Sequence, residues 1–171
     1  MHWVISFSLA MLWSTAAWHK LQDRAGFTSA LVAYELLSPP ICRRAGLLLP
    51  LLETLIAVCL VVPGSRAPAA LLSAILLVTY GAAMAVNLVR GKANIDCGCA
   101  ASEGQVISWW LVLRNVILCC ASLALLPGTD QGTLSVSEFL VATLASAVIC
   151  VVYIWAGSIL RERTTMDGEA D

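Results

Sequence analysis

The sequence predicts an all-α fold, a polytopic bundle of about five (four to five) short transmembrane helices in one domain over 1–160. Of the 171 residues, 60% are hydrophobic and 12% are charged, and the mean hydropathy is +0.86. Soluble domains carry about a quarter charged residues, so a soluble fold of this chain would have too little polar surface. The apolar residues are also gathered into blocks close to the length of a bilayer crossing, about 20 helical residues.

The first block, 3–19, ends in small residues, as a cleaved secretory signal does. No basic segment precedes it, and further apolar blocks follow it. We therefore predict that it is retained as the first transmembrane helix. The next stretch, 21–45, is amphipathic and is interrupted by Ser38-Pro39-Pro40, which predicts a short interfacial helix over about 27–37.

Four more blocks, at 46–62, 68–89, 106–126 and 138–160, have the length of a span or nearly so. Pro-Gly follows the second and fourth blocks of the chain, Arg-Gly follows the third, and a proline opens the third, all of which are typical helix boundaries. Because hydrocarbon offers no hydrogen-bond partners to the backbone, these blocks must be helical. The polar segment 161–171 is predicted to be a frayed tail.

The basic residues predict the orientation, because short cytoplasmic loops retain Lys and Arg. With five spans, one face of the membrane collects eight basic residues and the other has only Arg66. The eight are Lys20, Arg24, Arg43, Arg44, Arg90, Lys92, Arg161 and Arg163. This asymmetry predicts a cytoplasmic carboxyl terminus. Since the basic residues are scattered and the net charge is -1, the lipid bilayer is an expected partner and nucleic acid is not.

Four of the seven cysteines are interpreted as structural. Cys42 lies in the first loop, and four others lie within apolar helices, where a thiol behaves as a small hydrophobe and is inert. These four are Cys59, Cys119, Cys120 and Cys150. The adjacent pair Cys119 and Cys120 cannot face the same way on a helix, which argues against their acting together.

The remaining two, Cys97 and Cys99, flank a glycine in a polar loop after the third span. A thiol reacts as the thiolate, which the nearby Arg90 favours and Asp96 opposes. Two thiols one residue apart can pair only in a tight turn, for which Gly98 is permissive. Such a strained disulfide is labile and oxidising, so the pattern predicts a thiol-exchange pair.

Two other interpretations of this pair stay open. Cysteine pairs also hold soft metal ions, but the loop supplies only two thiolates, and both histidines, His2 and His19, belong to the first helix and its end. We therefore expect no metal. The pair could also be two loop cysteines without chemistry.

Polar side chains within the spans are the next candidates, since charge at bilayer depth is expensive and usually has a partner or a task. Glu53 lies in the second span, Arg114 and Asn115 lie in the fourth, and Asn87 is near the end of the third. An ion pair between Glu53 and Arg114 would stabilise the bundle without catalysis. Alternatively, these residues line a polar pocket beneath the cysteine loop.

Several short motifs run from residue 18 to 126. They are Asn-Leu-Val-Arg-Gly at 87–91, Ile-Asp-Cys-Gly-Cys at 95–99, Leu-Arg-Asn at 113–115, His-Lys-Leu at 19–21, Tyr-Glu-Leu-Leu at 34–37 and Leu-Pro-Leu-Leu-Glu at 49–53. Together they resemble the methylamine utilisation protein MauE family, which belongs with the DoxX-like membrane proteins. Many relatives continue Cys-Gly-Cys with Phe-Gly, where this chain has Ala100-Ala101, so the packing of the loop differs.

The resemblance implies a multi-pass protein of the bacterial inner membrane that helps to mature methylamine dehydrogenase, whose small subunit is rich in disulfides. Cys97 and Cys99 would be the redox pair, exchanging electrons with a periplasmic thioredoxin-like partner or with a membrane quinone. The supporting residues of the site would be Gly98, Asp96, Arg90, Glu53, Arg114 and Asn115.

The resemblance leaves two other functions open, a non-catalytic chaperone or export scaffold for the same subunit and a DoxX-like quinone-linked sulfur oxidoreductase. Whether the protein is an enzyme therefore stays open. The working face of the loop is open as well, because a periplasmic partner needs the cysteines outside, whereas the loop charges predict the cytoplasmic edge.

Overall fold

The computed structural model describes residues 2–62, 64–93, 95, 106–126 and 144. Within these ranges the chain forms five α-helices and no β-strand. The helices are α1 (His2–Gln22), α2 (Arg24–Ala33), α3 (Pro39–Val61), α4 (Arg66–Val89) and α5 (Trp109–Leu123). The predicted all-α class is confirmed for this part of the chain.

The short helix of the first loop is present, but it lies over Arg24–Ala33 and not over 27–37. It starts earlier because the Asp23 side chain caps it, accepting a hydrogen bond from the Gly26 N–H at 2.8 Å. The chain then turns at Glu35, whose φ of 50° is left-handed, so the helix cannot continue to residue 37.

The helix of the second apolar block, α3, starts at Pro39, seven residues before the predicted start of that block at 46. Pro39 and Pro40 were expected to interrupt the chain, whereas they occupy the first turn of the helix, after Ser38 in an extended conformation. A proline costs nothing there, since the first N–H groups of a helix have no intrahelical acceptor.

Two of the described helices, α3 and α4, are long and apolar enough to cross a membrane by length and composition. The third apolar helix, α5, has only 15 residues. The predicted span 138–160 and the tail 161–171 lie outside the described residues, apart from Leu144. The count of four to five transmembrane helices therefore stays a prediction.

The main core lies between α1, α3, α4 and the end of α5. Its large buried side chains include Trp13, Ile56, Leu60 and Leu77. Alanines of α3 and α4 are buried among them, and such small residues let apolar helices approach closely. The name main core is used below for all the buried hydrophobic residues between these four helices.

A second cluster lies where α4 ends and α5 begins. It consists of Tyr34, Met84, Ile107 and Leu111, with Ile95 packed against it. We call it the loop-end cluster. Tyr80 packs against both the main core and the loop-end cluster, so α4 connects the two.

Hydrogen bonds between side chains also join helices in the main core. The Trp13 indole N–H donates to the Ser73 hydroxyl at 2.8 Å, and the hydroxyls of Ser73 and Ser122 are 3.0 Å apart. These contacts tie α1 to α4 and α4 to α5. All three residues are buried, and the Trp13 N–H has the Ser73 hydroxyl as its acceptor, as a buried donor requires.

Replacing Ser73 with Ala should lower the free energy of unfolding by about 1–3 kcal/mol, because it leaves the buried Trp13 N–H without an acceptor. The measurement is thermal or chemical unfolding of the full chain in detergent micelles. Thr79→Ala is the matched control, since the Thr79 hydroxyl is exposed and bonds only its own helix. Equal stability of the two variants would contradict this role for Ser73.

Candidate functional site

The chain leaves α4 through a tight C-terminal turn that leads into the cysteine loop. The Gly91 N–H donates to the Leu88 carbonyl and the Lys92 N–H donates to the Asn87 carbonyl, both at 3.0 Å. This is the Schellman pattern, which needs a left-handed residue after the helix, and Gly91 has a φ of 75°. The direction of the loop therefore depends on this glycine.

The two ends of the cysteine loop are joined at its base. The Ile107 N–H donates to the Ile95 carbonyl at 2.9 Å, so the chain between them leaves and returns at one place. Ile107 is 2% exposed within the loop-end cluster, and Ile95 packs against the same cluster. Asp96, Cys97, Gly98 and Cys99 themselves lie outside the described residues.

An exposed ion pair connects the α2–α3 loop to this base, with Lys92 Nζ 2.6 Å from a Glu35 carboxylate oxygen. The hydrogen bond from Lys92 and its positive charge lower the pKa of Glu35. A lowered pKa means that the pair is stabilising above the ordinary pKa of Glu35 and is lost as the pH falls through the folded value. Both side chains are well exposed, so the pair orients the loop more than it stabilises the fold.

The most unusual feature of the described core is a set of three polar side chains, Lys20, Glu53 and Tyr80, which we call the Lys–Glu–Tyr cluster. The Lys20 ammonium contacts Glu53 Oε1. The Tyr80 hydroxyl donates to the same oxygen at 2.6 Å and accepts from Lys20 Nζ at 3.3 Å. Lys20 and Glu53 are 3% and 0% exposed, so this is a charged pair within the bundle.

Two aromatic rings complete the surroundings of the Lys20 ammonium. Nζ lies 4.9 Å from the centroid of Phe27 and 4.6 Å from that of Tyr80. A cation over an aromatic face is attracted by the ring quadrupole, and more strongly where water is excluded. Because Phe27 belongs to α2, the Lys–Glu–Tyr cluster and this ring together join four of the described helices.

The predicted ion pair between Glu53 and Arg114 is wrong. Glu53 faces α1 and α4, where Lys20 and Tyr80 take its Oε1. Arg114 lies on α5, which packs mainly on α4 and not on α3. Lys20 and Arg114 were both possible cationic partners of Glu53. The helix packing brings Lys20 to Glu53, although Lys20 had been counted among the basic residues at the membrane surface.

The two asparagines in the predicted spans, Asn87 and Asn115, form side-chain hydrogen bonds within their own helices. The Asn115 side-chain amide donates to the Leu111 carbonyl at 2.8 Å, and the Asn87 amide donates to the Ala83 carbonyl at 3.1 Å. Asn115 also packs close to Gly81, where a built Cβ would lie 3.5 Å from the Asn115 Cβ. Asn115 is thus a contact between α4 and α5.

Sequence reasoning missed Lys20 and Tyr80 as partners of Glu53. Lys20 was counted among the loop charges, but it lies within α1 and is buried. The side chain of a lysine two residues before the end of a long helix can extend into the bundle or out towards the surface. Only the packing of α1 on α3 decides between these two positions. The signal that could have found it is the need of a buried carboxylate for a cation.

The structure describes four of the seven cysteines, and Cys42, which was predicted in the first loop, lies within α3. Cys42 is buried and its thiol points to the Leu37 carbonyl, with 3.6 Å between the two atoms. Cys119 faces α4, 3.8 Å from the Ala74 carbonyl, whereas Cys120 is exposed. The adjacent pair therefore faces two ways, as helical geometry predicted.

These elements define a class, a small all-α protein with membrane-capable helices, a charged cluster in its core and a cysteine loop closed at its base. A family model described as Methylamine utilisation protein MauE matches residues 1–127. The chain belongs to this family, which gives it a role in methylamine utilisation.

Curated relatives agree with the family. The chain is 36% identical to "Methylamine utilization protein MauE" of Paracoccus denitrificans over 156 residues, which cover 90% of this chain and 84% of the relative. It is 32% identical to the protein of the same name in Methylophilus methylotrophus over 155 residues, covering 88% and 81% of the two chains. No solved structure matches the chain.

Removing one member of the buried pair should be far more harmful than removing both. Lys20→Met leaves the Glu53 carboxylate without its cation and should cost about 3–5 kcal/mol of unfolding free energy, whereas the double variant Lys20→Met with Glu53→Leu should recover much of it. Unfolding of the purified full chain in micelles measures both. The exposed Lys92→Met is the control, and strictly additive losses would contradict a coupled pair.

Gly91→Ala should destabilise the protein, whereas Gly81→Ala should not. At Gly91 the left-handed backbone makes any side chain strained, at a cost of about 1–2 kcal/mol. At Gly81 the residue is helical and the new methyl group meets Asn115 at an ordinary contact distance, so Ala should be neutral or stabilising by up to about 1 kcal/mol. Comparison of the two melting temperatures tests this, and a harmless Gly91→Ala would contradict the turn.

Proposed function

We propose that this chain is a multi-pass protein of the bacterial inner membrane that supports maturation of methylamine dehydrogenase by thiol–disulfide exchange at Cys97 and Cys99. Membership of the family supports the pathway. The Cys-Gly-Cys sequence at 97–99 carries the proposed chemistry, and the joined ends at Ile95 and Ile107 show where the loop begins and ends.

Membrane residence is supported by apolar side chains that point outward as well as inward. Exposed large hydrophobic residues run along α3 and α4, where a soluble monomer would expose few contiguous ones. They include Leu48, Leu51, Leu55, Val58, Leu71, Ile75 and Val78. Exposed tryptophans lie near helix ends, with Trp18 close to the end of α1 and Trp109 and Trp110 opening α5, as at a membrane interface.

The site is supported by the geometry at the base of the loop. Ile95 is held against the loop-end cluster and by the Ile107 hydrogen bond, and Cys97 follows it by two residues. The loop therefore starts from a fixed point of the bundle.

The exchange needs no group other than the two thiols and a partner. The thiolate of one cysteine attacks a partner's disulfide and forms a mixed disulfide, and the second cysteine then displaces the partner as a dithiol. The pair becomes a disulfide while the partner is reduced, and the reverse sequence oxidises the partner. We propose the small subunit of methylamine dehydrogenase or a periplasmic thioredoxin-like protein as this partner.

Continued oxidation of partners requires that the pair be reoxidised. A membrane quinone would take the two electrons and two protons of the dithiol and leave as the quinol. We further propose that the carboxyl terminus is cytoplasmic, as the basic loop residues favour. With two predicted spans after it, the cysteine loop would then face the cytoplasm, so exchange with a periplasmic partner would require electrons to cross the membrane.

Cys97→Ser, Cys99→Ser and the double variant should each abolish accumulation of mature methylamine dehydrogenase in cells grown on methylamine, because one thiol alone cannot complete the exchange. Cys120→Ser is the control, since Cys120 is exposed on α5 and has no part in the reaction. Immunoblotting of the small subunit together with enzyme activity provides the measurement, and membrane fractionation confirms that the variants are produced.

The single variants should also trap the partner, since the remaining thiol forms a mixed disulfide that cannot be resolved. Normal maturation with both cysteines replaced would contradict the exchange. The scaffold function would then remain, and it predicts that changes in helix packing around Glu53 impair maturation instead.

A further inference from the structure

The structure divides the basic residues of the described chain into those with an intramolecular partner and those without. Lys20 lies in the Lys–Glu–Tyr cluster, and Lys92 is paired with Glu35. The Arg66 guanidinium lies over the Trp3 ring, 3.5 Å from its centroid. These three cations are therefore engaged within the protein.

The arginines that are exposed form no ion pair with any described residue. They are Arg24, Arg43, Arg44 and Arg90. The two carboxylates between α1 and α3 are engaged elsewhere, because Asp23 caps α2 through the Gly26 N–H and Glu35 holds Lys92. Within the described chain, the exposed arginines are therefore positive charges without a protein partner.

Arginines of α3 and α4 lie at one level of the bundle. Glu53 of α3 accepts a hydrogen bond from Tyr80 of α4, and Arg43 and Arg90 are each ten residues along the chain from that contact. At a rise of about 1.5 Å per residue, both lie about 15 Å from it along the helix axes. Because only residues 62–65 connect α3 to α4, the two helices are antiparallel and both arginines lie at the same end.

The turn between α2 and α3 joins the start of α3 to the end of α4. Glu35 in this turn pairs with Lys92 at 2.6 Å, and its pKa is lowered first by Lys92 and second by the charge of Arg90. Arg90 therefore lies beside the turn from which α3 begins. We call Arg43, Arg44 and Arg90 the arginine edge.

The arginine edge lies at the border of the apolar surface. Leu47 and Leu48 are exposed one helical turn after the two arginines of α3, and Val86 is exposed one turn before Arg90. From Arg66 to Arg90, α4 measures about 36 Å at 1.5 Å per residue, whereas the hydrocarbon layer of a bilayer is about 30 Å thick. With α4 across the bilayer, Arg90 therefore lies in the headgroup layer.

We propose that the arginine edge binds the headgroup of an anionic phospholipid, such as phosphatidylglycerol or cardiolipin. A guanidinium holds phosphate oxygens through two parallel hydrogen bonds, and basic residues beside membrane helices attract acidic lipids. Phosphatidylcholine has the same phosphate, but its choline group is repelled by the neighbouring arginines, so the net charge of the lipid decides the preference. This site rests on the proposed membrane residence of the chain and does not need the thiol chemistry.

The test is the lipid selectivity of the full chain in phosphatidylcholine bilayers that contain a trace of spin-labelled phosphatidylglycerol or spin-labelled phosphatidylcholine. Electron spin resonance measures the fraction of each label that is immobilised at the protein. We expect phosphatidylglycerol to associate about fivefold more strongly, which is the effect of about one basic residue at a membrane surface. The preference should fall when the salt concentration is raised from about 0.1 M to about 1 M.

Replacing the three arginines together, Arg43→Gln, Arg44→Gln and Arg90→Gln, should remove most of this preference. Arg66→Gln is the matched control, because it removes an arginine from the other end of α4 that is already stacked on Trp3. Circular dichroism confirms that each variant is helical.

Glu35→Gln should have the opposite effect and strengthen the preference for phosphatidylglycerol. It removes the negative charge that is paired with Lys92, so one more cation at this end of the bundle becomes available to a headgroup. An unchanged or weaker preference in Glu35→Gln would contradict the proposal.

Equal association of the two lipids with the wild type would overturn the proposal. Wild-type selectivity in the triple variant would overturn it as well, and so would an equal loss in Arg66→Gln. If the triple variant does not fold, Arg90→Gln decides, since Arg90 is exposed and follows the last residue of α4, and an unchanged preference there would overturn the proposal. Failure of the wild type to enter bilayers would contradict membrane residence itself, a result distinct from equal association.

Discussion

The arrangement of the described helices depends on the need to accommodate one charged pair inside an apolar bundle. Lys20 and Glu53 are both buried, and burying either alone would be costly. Their contact requires α1 to lie against α3, and the Tyr80 hydroxyl and the Phe27 ring bring α4 and α2 to the same place. Apolar packing alone would allow these helices to slide past one another, whereas a single paired charge fixes their register.

Helix α4 connects the charged cluster to the start of the cysteine loop. Ser73, Tyr80, Met84 and Asn87 follow one another at intervals of three, four or seven residues, so they lie along one stripe of the helix. Ser73 bonds Trp13 in the main core, Tyr80 bonds Glu53, and Met84 supports the loop-end cluster. The turn at Gly91 then starts the loop in a fixed direction. The buried cluster and the base of the cysteine loop at Ile95 are therefore both supported by α4.

The helices were predictable from the sequence because apolar blocks and their Pro and Gly boundaries are local properties. The early starts of α2 and α3 were not, since they rest on the Asp23 cap and on two prolines in the first turn of a helix. The partner of Glu53 was also beyond sequence spacing, because Lys20 and Arg114 were both available and only the contact of α1 with α3 distinguishes them. Cys97 and Cys99 remain a sequence-based prediction whose base, at Ile95 and Ile107, the structure describes.

The thiol chemistry is tested most directly by the state of the two loop cysteines in the intact protein. The full chain in bilayers would be equilibrated with oxidised or reduced glutathione, alkylated, digested and analysed by mass spectrometry. We expect the peptide that contains Cys97 and Cys99 to carry an internal disulfide under oxidising conditions and two alkylated thiols under reducing ones. Two alkylated thiols under both conditions, with no mixed disulfide to a partner, would contradict the exchange function.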